Sequence, residues 1–139
     1  MTLSIRNQLP GTVTEVQPGE VMATVKIRLD GGQELMAAIT LEAVEQLGLA
    51  PDSRVHALVK STEIALATSG VEGLSIRNQL PGAIVQLAHG GAMASVKIAV
   101  AGGKLTAVIT KDAAEDLGLF VGSDVIALIK STEVSLATA

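Results

Sequence analysis

The side chains best suited to chemistry in this sequence lie in two stretches that each occur twice. LSIRNQLPG stands at residues 3–11 and again at 74–82, and KSTE stands at 60–63 and again at 130–133. Each stretch combines a basic side chain with hydroxyl or amide groups that can donate hydrogen bonds. Arginine offers a planar fork of N–H groups and lysine offers a point charge, so this combination suits a small oxyanion.

These donors are common to both halves of the chain, whereas much of the sequence between them differs. The second half aligns with the first at an offset of 71 residues up to Gln33 and of 70 residues beyond it. The shared donors are Ser4, Arg6, Asn7, Gln8, Thr40, Lys60, Ser61 and Thr62, with the counterparts Ser75, Arg77, Asn78, Gln79, Thr110, Lys130, Ser131 and Thr132. We therefore predict that each half carries an anion site.

Two alternatives to an anion site would also account for the shared stretches. In the first, the apolar residues of 3–11 serve strand pairing, and the polar ones belong to an edge strand where they hinder aggregation. In the second, the duplication is recent, so the two halves would still be identical in sequence throughout. The second is disfavoured because TVTEVQPGE at 12–20 corresponds to AIVQLAHGG at 83–91, which differs almost throughout.

Catalysis and cation binding are disfavoured by the residues that the two halves do not share. His56 corresponds to Ile126 and His89 to Pro18, and the sequence has no cysteine. A repeated histidine site, a thiolate metal site and a cysteine nucleophile are therefore excluded. No nucleophile–base–acid arrangement and no GxxxxGK[ST] phosphate loop occurs. We expect no enzyme, no bound metal cation and no organic cofactor.

The composition restricts the class of protein further. The 139 residues carry a net charge of −4, and Phe120 is the one aromatic residue, so the core must be built from Val, Ile, Leu, Ala and Met. Nucleic-acid-binding proteins usually show a basic face and stacking rings, so we expect no nucleic-acid partner. No stretch is apolar for long enough to span a bilayer, and MTLSIRNQ lacks the pattern of a signal peptide. We expect a cytoplasmic protein with no membrane partner.

Each half is expected to consist mostly of β-strands. In VMATVKIRL, residues 21–29, the apolar residues recur with a period of two, which is typical of a half-buried strand. LEAVEQLGL at 41–49 follows Thr40, a good N-cap, and stops at Gly48, so it predicts a short helix. The strands expected in the first half are 12–16, 21–29, 35–40, 55–60 and 63–67.

The expected fold is mainly β, with two tandem OB-like five-stranded barrels, each with one short helix between the third and fourth strands. A five-stranded sandwich is the rival architecture. We place the first domain at 1–69 and the second at 70–139, joined by the Gly-rich stretch 69–73. A unit of this size is marginally stable alone, which favours a homo-oligomer. Apolar residues expected on the outward face support this: Met22, Met36, Leu58, Met93 and Leu128.

Both halves resemble the Mop domain, a TOBE-like domain of molybdate-binding proteins. SIRNQLPG is similar to the SARNQ-type opening of that domain, GGxxLxAxIT with the endings EQLGL and EDLGL to its middle, and KSTE to its closing stretch. The resemblance covers essentially the whole chain twice, as in the tandem molbindins. It implies OB-like barrels and a homotrimer in which six Mop domains hold molybdate or tungstate between domains and at subunit interfaces.

The resemblance also implies which residues bind the oxyanion, namely those that match the motifs of the family. They are Ser4, Arg6, Asn7, Thr40, Lys60 and Ser61 in the first half, and Ser75, Arg77, Asn78, Thr110, Lys130 and Ser131 in the second. Backbone N–H groups are expected to contribute. Some relatives carry a serine three residues after the threonine, where this chain has Ala43 and Ala113, so one hydroxyl donor is missing.

Three functions are compatible with these observations. The leading hypothesis is storage and homeostasis of molybdate or tungstate, because this sequence includes no regulator or transporter domain. In the second, the protein is a structural module whose anion only stabilises the assembly. In the third, it is an OB-fold interaction or single-stranded nucleic-acid-binding module, with a groove lined by Arg6, Lys26, Arg28 and Lys60.

Overall fold

The structure, a computed structural model, describes residues 2–139 and contains two antiparallel sheets of five strands. The first repeat contributes β1 (Asn7–Pro18), β2 (Met22–Leu29), β3 (Glu34–Thr40), α1 (Leu41–Leu47), β4 (Arg54–Val59) and β5 (Ile64–Ala67). The second repeat contributes β6 (Asn78–His89), β7 (Met93–Val100), β8 (Gly103–Thr110), α2 (Lys111–Asp116), β9 (Asp124–Ile129) and β10 (Ser135–Thr138). One 3-10 turn follows β4 (Ser61–Glu63) and another follows β9 (Ser131–Glu133).

The predicted mainly β fold is confirmed, with five strands per repeat and one helix between the third and fourth. Each sheet curls into a half-barrel, and its two outermost strands approach each other, β3 and β10 in one sheet and β8 and β5 in the other. The first strand begins earlier than expected, at Asn7, because Leu9 and Val13 continue its buried face. The helix α1 ends at Leu47, and Gly48 adopts the left-handed conformation that closes it.

The period-two pattern of apolar residues in 21–29 places alternate side chains of β2 in the core, as predicted. Ala23, Val25 and Ile27 are buried and face the core, whereas Val21 precedes the strand and is exposed. Met22 and Met93, expected on the outward face, are 44% and 43% exposed. Leu58 and Leu128, expected on the outward face, are buried within the chain, although they stand apart from the main core cluster.

The last strand of each repeat joins the sheet of the other repeat. The strand order is β10-β4-β1-β2-β3 in the first sheet and β5-β9-β6-β7-β8 in the second. Ser135 pairs with Leu58, and Ala65 pairs with Leu128. The predicted division at residues 69 and 70 separates the sequence repeats, whereas each sheet takes one strand from across that division. The two repeats therefore share their barrels.

The hairpin tips of the two repeats meet where the sheets adjoin. A Cβ placed on Gly31 would overlap the backbone oxygen of Ala101, and one on Gly102 would lie 2.6 Å from Gly31 Cα. Gln33, in the turn that has one extra residue in the first repeat, donates from Nε2 to the oxygen of Ala101 over 3.1 Å. The glycines therefore permit a close backbone approach between the repeats. No helix within residues 2–139 is long and apolar enough to cross a membrane.

Strand exchange can be tested with engineered disulfides, because the sequence contains no cysteine. His56 on β4 and Ala137 on β10 are directly paired, so His56→Cys with Ala137→Cys should form an intrachain disulfide on mild oxidation. The matched control is Ile126→Cys with Ala137→Cys, which would be paired only without exchange. Non-reducing electrophoresis shows which variant forms the disulfide. A disulfide in the control variant alone would contradict the strand exchange.

The close approach of the hairpin tips predicts a steric effect at Gly31. Gly31→Ala should lower the free energy of unfolding by about 1–3 kcal/mol, because the new methyl group meets the backbone of Ala101. Gly91→Ala is the control, since a Cβ there meets no atom within 4 Å. Thermal denaturation of both variants measures the difference, and equal melting temperatures would contradict the proposed contact.

Candidate anion-binding site

Asn7 and Asn78 connect each repeat to the outermost strand of the other. The Nδ2 of Asn7 donates to the backbone oxygens of Val59 (3.0 Å) and Thr106 (2.9 Å), and its Oδ1 accepts from the N–H of Thr106 (2.8 Å). Asn78 makes the equivalent pair with the backbone of Met36, at 2.8 Å in each direction. Both asparagines are buried, with exposures of 2% and 3%. Each asparagine amide thus pairs with the backbone of an outermost strand in the way that a peptide group of a neighbouring strand would.

These contacts assign Asn7 a structural role within the chain. Both N–H groups of its amide are engaged by backbone oxygens, so direct donation to an anion would require one of them to be released. Ser4 and Arg6 precede it and are exposed, as are Ser75 and Arg77 in the second repeat. The same short motif therefore presents some donors to solvent and uses another to join the repeats.

Thr40 and Thr110 lie at the junction of strand and helix, as predicted. Each hydroxyl oxygen accepts a hydrogen bond from the N–H three residues on, from Ala43 or Ala113, over 3.1 Å. Accepting this bond leaves the hydroxyl hydrogen available for donation. Both threonines are exposed, so their O–H groups can reach a ligand.

The lysines of KSTE stand at the start of the two 3-10 turns. Lys60 and Lys130 are exposed, and the following serines are partly buried. The turn after β4 packs against β8, and the turn after β9 packs against β3. The Oγ of Ser131 is buried and has no hydrogen-bond partner within the described chain, so this hydroxyl has capacity that the fold does not use.

A cleft of about 380 Å³ brings the predicted residues Thr110 and Lys130 together. We name it the Lys130 cleft, and its wall is formed by both repeats. The first repeat contributes Thr62, Glu63, Ile64 and Ala65, and the second contributes Ile76, Met93, Val108, Ile109, Thr110, Leu128 and Lys130. Its floor is mostly apolar, and its hydroxyls and ammonium group provide directional donors. Alignment of the repeats did not indicate that Glu63, a carboxylate, would lie here.

Arg6 lies in a different pocket of about 460 Å³, lined by Thr2, Leu3, Ile5, Arg6 and Gln8. Arg77 does not line the Lys130 cleft, although its neighbour Ile76 does. The structure of one chain therefore brings the threonine and the lysine together and leaves the arginine apart. The six predicted donors of a repeat do not line one pocket.

The four cations of the shared motifs are not engaged in ion pairs within the described chain. Within residues 2–139, the ion pairs are Lys26 with Glu15, Arg54 with Asp30, and Lys111 with Glu115. Arg6, Arg77, Lys60 and Lys130 form no ion pair in this part of the chain. Their positive charge is therefore not compensated by a carboxylate at contact distance, as an anion site requires. The described residues also contain no group of three or more His, Cys, Asp or Glu side chains suited to a metal cation.

The Arg54–Asp30 pair is specific to the first repeat and lies outside the shared donor set. Arg54 Nη1 lies 2.7 Å from Asp30 Oδ1, and this hydrogen bond lowers the pKa of the Asp30 carboxyl and raises that of the guanidinium. Ala101 and Asp124 occupy the equivalent positions in the second repeat. The Arg54–Asp30 pair therefore cannot be required for an anion site that both repeats share.

The contacts of Asn7 predict that this residue contributes to the stability of the fold even when no anion is bound. Asn7→Ala should lower the free energy of unfolding by about 2 kcal/mol or more, because the buried oxygen of Val59 and the partly buried backbone groups of Thr106 lose their partner. Ser4→Ala, at an exposed position three residues earlier, should leave stability nearly unchanged. Urea denaturation without added anion provides the comparison. Equal stability of the two variants would contradict the structural role of Asn7.

The chain matches one domain family twice and known proteins over nearly its whole length. The profile of the TOBE domain matches residues 3–66 and again 74–136. The molybdenum-pterin-binding protein MopB of Rhodobacter capsulatus is 43% identical over 136 residues, which are 96% of this chain and 50% of MopB. The molybdenum transport protein ModE of Azotobacter vinelandii is 40% identical over 138 residues, 99% of this chain and 51% of ModE. The chain spans about half the length of these curated relatives.

A solved structure matches over the full length of both chains. It is that of the cytoplasmic molybdate-binding protein ModG with molybdate bound, at 39% identity and a TM-score of 0.96. The TM-score of 0.96 with 100% coverage in both directions shows that the arrangement of the two repeats is similar as well as the fold of each. On these grounds, the chain belongs to the TOBE domain family, as a tandem of two Mop-type domains related to the molbindins.

Proposed function

We propose that this protein binds molybdate or tungstate in the cytoplasm and serves storage and homeostasis of the oxyanion. The observation that carries the proposal is the set of four exposed cations, Arg6, Arg77, Lys60 and Lys130, which occur at equivalent positions of both repeats and have no carboxylate partner in the described chain. ModG, which is similar to this chain throughout its length, was solved with molybdate bound.

The donor types fit a tetrahedral oxyanion better than a cation or an organic cofactor. Arginine and lysine can only donate, and the threonine and serine hydroxyls add directional bonds. Molybdate and tungstate carry the same charge as sulfate but are larger. Hydroxyl groups held at fixed positions can therefore sort these anions by the distance between their oxygens. We assign the direct contacts to Ser4, Arg6, Thr40, Lys60 and Ser61 and to their counterparts, and we assign Asn7 and Asn78 to positioning.

A complete site is proposed to form only when several chains assemble. Arg6 and the threonine–lysine pair line different pockets of one chain, so a second chain must bring an arginine to the cleft. A homotrimer of six Mop-type domains, as the resemblance implies, would satisfy this requirement. The exposed methionines Met22 and Met93 provide apolar surface that such an assembly can bury.

The alternative of a single-stranded nucleic-acid module gains no support from the geometry. Of the four cations assigned to its groove, Lys26 is paired with Glu15 at 3.6 Å. The one aromatic residue, Phe120, lies in the turn after α2 and is not part of a strand, where bases would stack. The structural alternative differs from storage only in how freely the anion exchanges, which a binding experiment measures.

The proposal predicts that the shared cations control molybdate binding. Lys60→Ala and Arg6→Ala should each weaken molybdate binding by about tenfold or more, because a hydrogen bond to a charged group contributes about 1.5–3 kcal/mol. The control is Arg28→Ala, an exposed cation of the same repeat that the second repeat replaces with Ala99. Equilibrium dialysis of the purified protein against molybdate, with sulfate and phosphate as competitors, measures these effects.

The same experiment defines the outcomes that would refute the proposal. Absence of molybdate retention, or equal retention of sulfate and phosphate, would rule out a selective molybdate site. Unchanged binding in both Lys60→Ala and Arg6→Ala would refute the residue assignment. Molybdate that is retained but does not exchange with free tracer would favour the structural role over storage.

A further inference from the structure

We propose that the two equivalent clefts of this chain bind the oxyanion with different affinities, and that the hydroxyl of Ser135 makes the cleft beside Lys60 the tighter one. This inference rests on the proposed function, because it concerns the same anion. It goes beyond that function by distinguishing the two copies of the site and by assigning a role to a residue outside the shared motifs.

From the repeat symmetry we infer a second cleft, the Lys60 cleft, at the positions equivalent to those of the Lys130 cleft. The 3-10 turn after β9 packs against β3 as the turn after β4 packs against β8. The strand that follows each turn is exchanged in the same register, so Ser135 faces Leu58 as Ala65 faces Leu128. Ala65 and Leu128 both line the Lys130 cleft. The equivalent register therefore places Ser135 and Leu58 at the corresponding positions of the Lys60 cleft.

The two clefts have the same residues at eight of the eleven lining positions, including the threonine and the lysine. One of the three differences exchanges Ile64 for Val134, and both of these residues are buried in the core. The remaining two differences alter the wall itself. Ser135 replaces Ala65, and Ala38 replaces Val108.

Both wall differences favour an oxyanion in the Lys60 cleft. Ser135 is exposed and adds a hydroxyl that can donate where Ala65 offers only a methyl group. No side chain or backbone group within residues 2–139 is hydrogen-bonded to this hydroxyl, so donation to an anion costs no existing contact. Ala38 is smaller than Val108 by two methyl groups, which leaves more room for a large tetrahedral anion. The Lys130 cleft has Ala65 in place of the donor and the bulkier Val108 in place of Ala38.

The common carboxylate does not remove the difference between the clefts. Glu63 lines the Lys130 cleft, and Glu133 occupies the equivalent position in the Lys60 cleft. A carboxylate repels an oxyanion, so in both clefts the anion is expected on the side of the lysine and the threonine. Because this repulsion applies to both sites, the difference in affinity arises from Ser135 and Ala38.

Calorimetric titration of the intact protein with molybdate tests the inference. The wild type should show two classes of site, and Ser135→Ala should weaken the tighter class by about tenfold, the loss expected for one hydrogen bond to a charged ligand. Ala65→Ser should tighten the weaker class. Thr138→Ala, which removes an exposed hydroxyl from the same strand, is the matched control and should change neither class.

Lysine variants identify the classes and separate the possible failures. Lys60→Ala should weaken the tighter class by about tenfold or more and leave the weaker one unchanged, and Lys130→Ala should weaken only the weaker class. Absence of molybdate binding in the wild type would refute the proposed function and this inference together. Binding in one uniform class, unchanged by Ser135→Ala and by Ala65→Ser, would refute the inference alone. Far-ultraviolet circular dichroism confirms that each variant is folded before titration.

Discussion

The reciprocal pairing of β5 with β9 and of β10 with β4 is the constraint on which the rest of the structure depends. A strand at the edge of a sheet exposes backbone N–H and C=O groups that require partners. Here each fourth strand pairs on one side with the first strand of its own repeat and on the other side with the last strand of the opposite repeat. Neither half-barrel is complete without the second repeat, so the two repeats are expected to fold as one cooperative unit.

This exchange also determines where the KSTE stretches lie. Each stretch begins at the end of a fourth strand and leads directly into an exchanged strand, so its lysine stays with one sheet while the following residues cross to the other. Lys130 and Thr62 consequently meet in one cleft, although they belong to different repeats. The connection between the repeats and the candidate site are therefore products of the same topology.

The RNQ motif shows how one short sequence performs two tasks. Successive residues of an extended chain point in opposite directions, so Arg6 is exposed while Asn7 is buried. The asparagine amide has one donor group and one acceptor group at a suitable separation, and it pairs with a backbone unit of the opposite edge strand. Repetition of a polar residue in both halves thus reflects packing in one case and an available charge in the other.

The sequence alone determined the elements and the set of donors, because both are local properties. Period-two alternation specified β2, the threonine cap and the glycine stop specified α1, and comparison of the repeats removed the histidines from consideration. The tertiary structure determined which strands and side chains are paired. The segments 64–67 and 134–137 have almost the same pattern, so local sequence could not show which fourth strand each would join. Only the folded chain shows that they exchange, that Asn7 is engaged by backbone groups, and that Glu63 of one repeat lines the same cleft as Lys130 of the other.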